Sequence, residues 1–231
     1  MLDDLRLQVL HANQALARLG LAPFTFGNAS AADRERGLVV IKPSGVAYDA
    51  LRADDLVVTD FDGNTVEGTL RPSSDLATHL VLYRAFGAIG GVVHTHSHFA
   101  TAWAQAGREI PCFGTTHADH FHGAVPITTA LSDEDIAGPY ETNTGHAIVR
   151  RFAALDPATV PAVLVAGHAS FCWSTTVAGA VQVAAVLEEV ARLAYHTVVL
   201  DHDAEAIGSA LHDRHFLRKH GRHAYYGQGG A

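Results

Sequence analysis

The sequence predicts one α/β domain with three layers, in which helices cover both faces of a central mixed, largely antiparallel sheet. Segments with helical and strand-like patterns alternate along the chain, as they do in layered α/β proteins. The strand-like segments are short, and hairpin signals lie between some of them, which favours antiparallel pairing. No Gly-x-Gly-x-x-Gly motif is present, so a doubly wound nicotinamide-binding fold is not expected.

The composition fits a single domain that spans residues 1–231. No linker, internal repeat or low-complexity segment divides the chain, and 48% of its residues are apolar while 17% are charged, which suits one sizeable core. The formal charge of −8 argues against a general nucleic-acid binder. Local fields can still attract an anionic small substrate.

Cysteine usage and the N-terminal segment indicate a cytoplasmic protein. Cys112 and Cys172 are the only cysteines, and they form no Cys-x-x-Cys pair, so we expect a reducing compartment rather than a disulfide framework. The first six residues are acidic and amphipathic, unlike a signal peptide. The apolar stretch 177–200 contains two glutamates and an arginine, so we interpret it as a core helix and expect no membrane partner.

The first third of the chain contains a helix, a loop and three short strands. They are predicted, in that order, at residues 3–19, 26–30, 38–41, 56–59 and 65–67. Gly20 ends the helix as a C-cap. Gly and Asn in the loop permit unusual backbone angles, and Pro43 ends the first strand because it cannot donate to a ladder.

A helix that ends near Phe86 follows Ser73, Ser74 and Asp75. Ser and Asp at a helix start are ordinary N-caps. The same geometry binds anions, because the free backbone N–H groups and the helix dipole favour phosphate. Both interpretations remain open from the sequence, and Asp75 is in addition a hard oxygen ligand.

His94 and His96 end a short apolar strand that is predicted at residues 90–96. Their side chains share one face, and their Cα atoms would lie about 6.6 Å apart at roughly 3.3 Å per residue, which allows both imidazoles to bind one zinc ion. A chain with 16 histidines contains about one His-x-His by chance, so solvated loop histidines are the alternative. The apolar run before them favours the metal site.

Helices and strands continue to alternate in the second half. Helices are predicted near residues 100–106, 132, 143–154, 177–199 and 203–219, and strands at 125–128 and 160–166. The polar segment 114–123 is either an active-site loop or a plain surface loop. His168 follows the strand 160–166 and repeats the arrangement of a buried strand with an imidazole at its end, although a satisfied buried histidine is the alternative.

In their order along the chain, the polar motifs resemble those of the class II aldolase/epimerase family. The motifs are Gly-Asn-x-Ser, Lys-Pro-Ser-Gly, Pro-Ser-Ser-Asp, His-Thr-His and Gly-Thr-Thr-His-Ala-Asp, at residues 27–30, 42–45, 72–75, 94–96 and 114–119. The closing segments 217–221 and 224–228 are similar to those of the family's L-ribulose-5-phosphate 4-epimerases. Each motif alone is weak, whereas their order from end to end is specific.

The resemblance implies a class II aldolase-like fold with one Zn²⁺ ion per subunit. His94, His96 and His168 would hold the ion, with Asp75 at or beside it. A phosphate pocket is implied as well, and its substrate-binding residues would be Gly27, Asn28, Lys42, Ser44, Gly45, Ser73 and Ser74.

The resemblance further implies that Asp119 and Tyr226 form an acid/base pair. Tyr226 would reach into a neighbouring subunit of a homotetramer whose active sites lie at subunit interfaces. Glu141 and His215 fall at positions that lie near the site in the family.

The activity that the resemblance implies is zinc-dependent epimerisation of L-ribulose 5-phosphate to D-xylulose 5-phosphate. The acidic proton of such a 2-ketopentose is on C3, so deprotonation alone cannot invert C4. Retro-aldol cleavage of the C3–C4 bond, rotation of the aldehyde and re-addition can invert it, with a metal for the enediolate and two groups that exchange the C4 hydroxyl proton on opposite faces. Arabinose and ascorbate catabolism can both use this activity.

Five residues depart from the family pattern. Leu76 and Ala77 replace a Thr-Pro step after Ser-Ser-Asp. Ala169 replaces the glycine that usually follows the third metal ligand, which puts the local backbone in doubt. His120 and His122 stand where tyrosines are expected, and this could change the substrate preference.

Three other functions compete with the epimerase. A sugar-phosphate aldolase of the fuculose- or rhamnulose-phosphate type would release the two fragments, but such aldolases typically have Glu at the position of Asp75. A non-catalytic, adducin-type head domain would have lost the zinc ligands, and they are present here. A histidine-rich metal-storage protein would bind several ions weakly rather than one tightly.

Overall fold

The chain folds into a seven-stranded sheet with helices on both faces. A computed structural model describes residues 2–226. The helices are α1 Leu2–Arg18, α2 Leu76–Ala85, α3 His98–Gln105, α4 Thr115–Ala118, α5 Asp133–Ala137, α6 Tyr140–Arg151, α7 Val177–Leu200 and α8 Ser209–His220. The strands are β1 Asn28–Asp33, β2 Leu38–Ile41, β3 Val57–Asp60, β4 Thr65–Glu67, β5 Gly91–Thr95, β6 Ala162–Leu164 and β7 Ser170–Ser174.

The strands follow the order β4-β3-β2-β1-β5-β7-β6, and every pair of neighbours is antiparallel. A parallel contact occurs as an isolated bridge between Ile127 and Leu164. The predicted largely antiparallel sheet is therefore confirmed. Asn28 of β1 lies directly opposite His94 of β5, so the start of one strand meets the end of the other.

Each face of the sheet has its own apolar core, because successive strand residues point to opposite sides. Val93 and Cys172 pack with α1, α3 and α7, whereas Val92 and Phe171 pack with α2 and α6. The predicted three-layer arrangement is confirmed.

Three segments have a secondary structure that differs from the prediction. The segment 26–30 was expected to be a loop, but β1 begins at Asn28 and pairs with β2 and β5 on its two sides. Strand β7 was not expected, because its Ser, Cys and Trp residues give no clear alternation. The predicted strand 125–128 is wrong, since its residues form only isolated bridges through Val125 and Ile127.

The long apolar stretch near the C-terminus is the core helix α7, as predicted. No helix within residues 2–226 has the length and apolar character needed to cross a membrane. The Glu188 carboxylate of α7 accepts hydrogen bonds from the backbone N–H groups of Phe99 and Ala100, at 2.8 and 3.0 Å. Helix α7 thereby satisfies the first turn of α3, just beyond the end of β5.

Candidate metal centre and active site

Three histidines from different segments converge at one end of the sheet. His94 belongs to β5, His96 follows that strand, and His168 lies in the turn between β6 and β7. One ligand nitrogen of each imidazole lies within 4.8 Å of the other two. We refer to these three residues as the candidate metal centre.

Contacts around His94 fix which of its nitrogens faces the centre. Its Nδ1–H donates to the Ser170 carbonyl at 2.9 Å, and its ring stacks on Phe171 with a centroid distance of 4.2 Å. The Nε2 lone pair is then directed at the Nε2 atom of His96, 3.1 Å away. Two nitrogens bound to one tetrahedral zinc ion lie roughly 3.4 Å apart, so the geometry fits such an ion.

The protonation states also suit a metal. Burial, together with the neighbouring His94 and His96, lowers the pKa of His168 to about 4. Burial lowers the pKa of His96 as well, and the neighbouring His94 lowers it further. Neutral imidazoles with free lone pairs are the donors that zinc requires.

The turn that carries His168 does not need the glycine that Ala169 replaces. Gly167 takes up the left-handed conformation, with φ of +71°. Ala169 is buried, and its carbonyl accepts a hydrogen bond from the Val165 N–H at 2.8 Å. This departure from the family pattern therefore leaves the ligand in place.

Asp75 lies beside the centre and is held by Asn28. The Asn28 amide donates to the Asp75 carboxylate at 2.7 Å and to the Ser73 hydroxyl at 3.0 Å. Burial raises the pKa of Asp75, but the nearby His94 and His79 and the Asn28 hydrogen bond together outweigh it and leave the pKa lowered. The carboxylate is thus ionised next to the imidazoles.

The predicted substrate-binding residues lie around this carboxylate. The Lys42 carbonyl accepts from the Ser73 N–H at 3.0 Å, and the Ser44 N–H donates to the Arg71 carbonyl at 2.9 Å, so segments 42–45 and 71–74 run side by side. Ser44, Gly45 and Ser74 are exposed.

Lys42, another of the predicted substrate-binding residues, follows β2 directly. Its side chain is buried, with the ammonium 4.9 Å from the centre of the Tyr48 ring and 3.3 Å from the Pro43 carbonyl. Burial lowers the pKa of Lys42. The Tyr48 hydroxyl lies 2.8 Å from the carbonyl oxygens of Phe26 and Gly27 and can donate to either, which ties this lysine to the loop before β1.

Gly27 packs directly against the backbone of the centre. Its φ is +75°, and a Cβ atom there would lie 2.5 Å from the His94 carbonyl oxygen. A side chain is therefore excluded on two grounds, backbone conformation and contact with β5. Gly27 lets the chain turn into β1 at the point where Asn28 must face His94.

A buried polar network behind the centre was missed by the sequence reasoning. His79 is fully buried, and its Nδ1 lies 2.7 Å from the Ser30 hydroxyl, which lies 2.8 Å from the Tyr83 hydroxyl. Burial lowers the pKa of His79 to about 3, so it is neutral. The i, i+4 spacing of His79 and Tyr83 on one helix face was the signal that could have found this network.

Asp119 is the centre of a separate cluster. Arg218 donates to both of its carboxylate oxygens, at 3.0 and 2.7 Å, and the His215 Nδ1–H donates at 3.1 Å. Burial raises the pKa of Asp119, but Arg218, His215 and Lys219 outweigh it and leave the pKa lowered. The Tyr226 ring lies against the same cations, 4.7 Å from the Arg218 guanidinium.

Asp119 and Tyr226 do not reach the candidate metal centre of their own chain. That centre lies where Thr95 of β5 pairs with Ser170 of β7. Tyr226 instead lines a cavity of about 690 Å³ together with Ile89 and Ser174, at the other end of the same two strands. The structure therefore divides the predicted site residues into two groups at opposite ends of the sheet.

His215 and Glu141, which the family resemblance places near the site, lie at different ends of the sheet. His215 lies with Asp119, as described above. Glu141 is in the first turn of α6, and its carbonyl accepts from the Thr78 hydroxyl at 2.6 Å, so it lies on the α2 side of the sheet near the metal centre.

The fold and the histidine centre define a class of protein. The profile of the class II aldolase and adducin N-terminal domain family matches residues 7–195, and the chain belongs to this family. The family resemblance that the motifs predicted is confirmed.

Similar proteins refine this assignment. The proteins named L-ribulose-5-phosphate 4-epimerase UlaF from Salmonella paratyphi A and Salmonella typhi are each 53% identical over 227 residues, which cover 98% of this chain and 100% of theirs. A solved structure of L-fuculose 1-phosphate aldolase superimposes with a TM-score of 0.77 at 24% identity, and the match covers 92% of this chain and 94% of that one. The structural likeness supports the class II aldolase fold.

Proposed function

We propose that this chain is an isomerase that interconverts L-ribulose 5-phosphate and D-xylulose 5-phosphate by epimerisation at C4. The observation that carries the proposal is the convergence of three imidazoles on the ionised Asp75, beside the polar segments 42–45 and 71–74. The near-complete coverage of relatives named as this epimerase supports this choice of substrate. The reaction is a retro-aldol cleavage of the C3–C4 bond, rotation of the aldehyde and aldol re-addition.

One Zn²⁺ ion per chain would be held by His94, His96 and His168, with Asp75 at or beside it. When bound, the ion supplies the Lewis acid that stabilises negative charge on the substrate oxygens during bond cleavage. The chain's own contribution is to hold three imidazoles and one carboxylate in fixed positions, through Ser170, Phe171 and Asn28.

The start of α2 supports the phosphate pocket. Asp75 occupies the N-cap position, but its carboxylate is directed at Asn28 and makes no side-chain cap for the helix. The Leu76 N–H donates to the Ser73 carbonyl at 3.1 Å, so the N–H groups that follow it in the first turn, together with the helix dipole, would favour an anion. The exposed hydroxyls of Ser44 and Ser74 lie on the two segments that run side by side there, and they would bind the phosphate oxygens.

The acid and base would come from another copy of the chain. Inversion at C4 needs proton transfer on two faces of the aldehyde, and Asp119 and Tyr226 are the proposed pair. They lie at the end of the sheet away from the candidate metal centre, which supports their supply by a neighbouring subunit, and Tyr226 is 59% exposed and accessible for this role.

We propose further that the chain assembles into a homotetramer with active sites at the subunit interfaces, and that it is located in the cytoplasm. The C-terminal part of α7 supports subunit contacts, because several of its large apolar side chains are exposed. They are Leu193, Tyr195, Val199 and Leu200. Burial of such side chains between subunits would stabilise an oligomer.

Product analysis tests the proposed function. The purified protein is incubated with L-ribulose 5-phosphate, with and without a chelator, and D-xylulose 5-phosphate is separated from dihydroxyacetone and glycolaldehyde phosphate. We expect xylulose phosphate as the product, with little free fragment. Turnover should be lost when the chelator is present and in His96→Ala.

Tyr226→Phe should slow turnover strongly while the zinc content is unchanged. Accumulation of the two fragments would instead identify an aldolase, and unchanged turnover in Tyr226→Phe would remove that residue from the mechanism.

A further inference from the structure

A second group of metal-type side chains lies at the other end of the molecule. His122 follows α4, while His212 and Asp213 belong to the N-terminal half of α8, about 90 positions later in the chain. The His122 Nε2 lies 3.1 Å from the Asp213 carboxylate, and the His212 Nδ1 lies 3.5 Å from the same oxygen. One donor atom from each residue lies within 4.8 Å of the other two.

The backbone fixes the buried member of this group. His212 is 8% exposed, and its Nε2 lies 3.1 Å from the Phe121 carbonyl and 3.0 Å from the Gly123 N–H. With the proton on Nδ1, Nε2 accepts from the Gly123 N–H; with the proton on Nε2, it donates to the Phe121 carbonyl, and the Nδ1 lone pair is directed toward Asp213. Metal binding would select the second tautomer. A backbone carbonyl that accepts from the second imidazole nitrogen is the usual partner of a metal-bound histidine.

We propose that His122, His212 and Asp213 form a second binding site for a divalent transition-metal ion such as Zn²⁺. Two imidazole nitrogens and one carboxylate oxygen are a donor set that suits zinc and its neighbours rather than Mg²⁺ or Ca²⁺. The side chains of His122 and Asp213 are about half exposed, so water can complete the coordination. This site does not depend on the proposed function, because none of its residues belongs to the candidate metal centre.

An ordinary ion pair is the competing explanation of the geometry. A protonated His122 beside Asp213 would give a short contact at an exposed position and contribute little to stability. That pair alone does not account for His212, whose ring lies 4.9 Å from the ring of His122 with its Nδ1 on the Asp213 side. His212 can also donate from Nδ1 to Asp213, and a cation that replaces the protons of the two imidazoles would be bound by the same three donors.

An ion at this site would connect the segment after α4 to α8. The same two elements already meet at Asp119, which accepts hydrogen bonds from His215 and Arg218 of α8. A second connection three residues further on would hold the Asp119 cluster more rigidly. Zinc would then act at this site as a structural ion.

Metal stoichiometry tests the proposal. Protein stripped with a chelator is dialysed against Zn²⁺, and bound zinc per chain is measured by atomic emission. The exposed pair His202 and Asp203, with a nitrogen–oxygen distance of 3.1 Å, offers a matched control without a third donor. We expect two ions per chain in the wild type and in His202→Ala, and one fewer in His122→Ala and in Asp213→Asn.

A further variant distinguishes zinc bound by the second site from zinc bound by the candidate metal centre. His96→Ala should retain the zinc bound by the second site, and zinc should still raise its melting temperature because ligand binding to the folded state stabilises that state. The double variant His96→Ala/His122→Ala should lose both effects. Equal zinc content in the wild type and His122→Ala, or an equal loss in His202→Ala, would overturn the proposal.

Discussion

His117 and His168 have similarly lowered pKa values, but their surroundings suit them to different roles. Burial is the main cause that lowers the pKa of each to about 4. His117 donates from Nε2 to the Gly123 carbonyl at 2.8 Å and packs against Phe121, which satisfies it as a neutral structural residue. His168 instead meets two other imidazoles with its lone pair free.

The lowered pKa of His117 predicts a pH-dependent stability. Its folded pKa of about 4 lies below the reference value of 6.5, so the free energy of unfolding is unaffected above pH 6.5 and falls as the pH drops toward 4. The loss from this residue at pH 5 is about 2 kcal/mol. Urea unfolding at pH 7 and pH 5 should therefore show a smaller pH dependence in His117→Gln, whose amide can still reach the Gly123 carbonyl. Equal losses in both proteins would show that His117 does not titrate as described.

At the same scale, the sequence revealed one histidine cluster and missed another. His94, His96 and His168 could be predicted because each follows an apolar strand, and strand ends are local features. His122 and His212 could not, because their contact depends on how α8 packs against the segment after α4. Family motifs predicted Asp119 as a site residue, but its partners Arg218, His215 and Lys219 became visible only in the folded chain.

Among the elements, patterns of apolar residues predicted the helices well and the central strands less well. Helix α7 and strand β5 carry strong periodic or continuous apolar signals. Strand β1 has the sequence Asn-Ala-Ser-Ala-Ala-Asp, with small residues that are typical of turns, and it is a strand because β2 and β5 pair with it on both sides. Tertiary pairing therefore overrides local propensity at the strand that carries Asn28.

Helix α3 gives a prediction at the scale of elements. Removal of the Glu188 carboxylate leaves the Phe99 and Ala100 N–H groups without their partner, so Glu188→Ala should lower the free energy of unfolding by about 1–3 kcal/mol. The neighbouring Glu189 makes an exposed ion pair with Arg192 at 2.6 Å. Glu189→Ala should cost less than about 0.5 kcal/mol in the same denaturant titration. Similar losses in the two variants would show that Glu188 does not stabilise α3.

At the scale of the whole molecule, the chain presents its chemistry at two ends of one sheet. The candidate metal centre and the proposed phosphate-binding segments lie at one end, and Asp119 and Tyr226 lie at the other. A five-residue strand separates them, which rules out direct cooperation within one chain as folded here. Under the proposed function, a neighbouring chain would complete the active site, because the family motifs of one chain are divided between these two ends.

Mixed oligomers test this account most directly. His96→Ala removes a proposed metal ligand and Tyr226→Phe removes the proposed acid, so each variant alone should be inactive or nearly so. The two variants are unfolded, mixed in equal amounts and refolded together, and turnover of L-ribulose 5-phosphate is measured. If the metal centre and Tyr226 come from different chains, random assembly restores both intact groups at about a quarter of the sites, and about a quarter of the wild-type rate should return. A mixture that remains as inactive as its components would contradict an active site shared between chains.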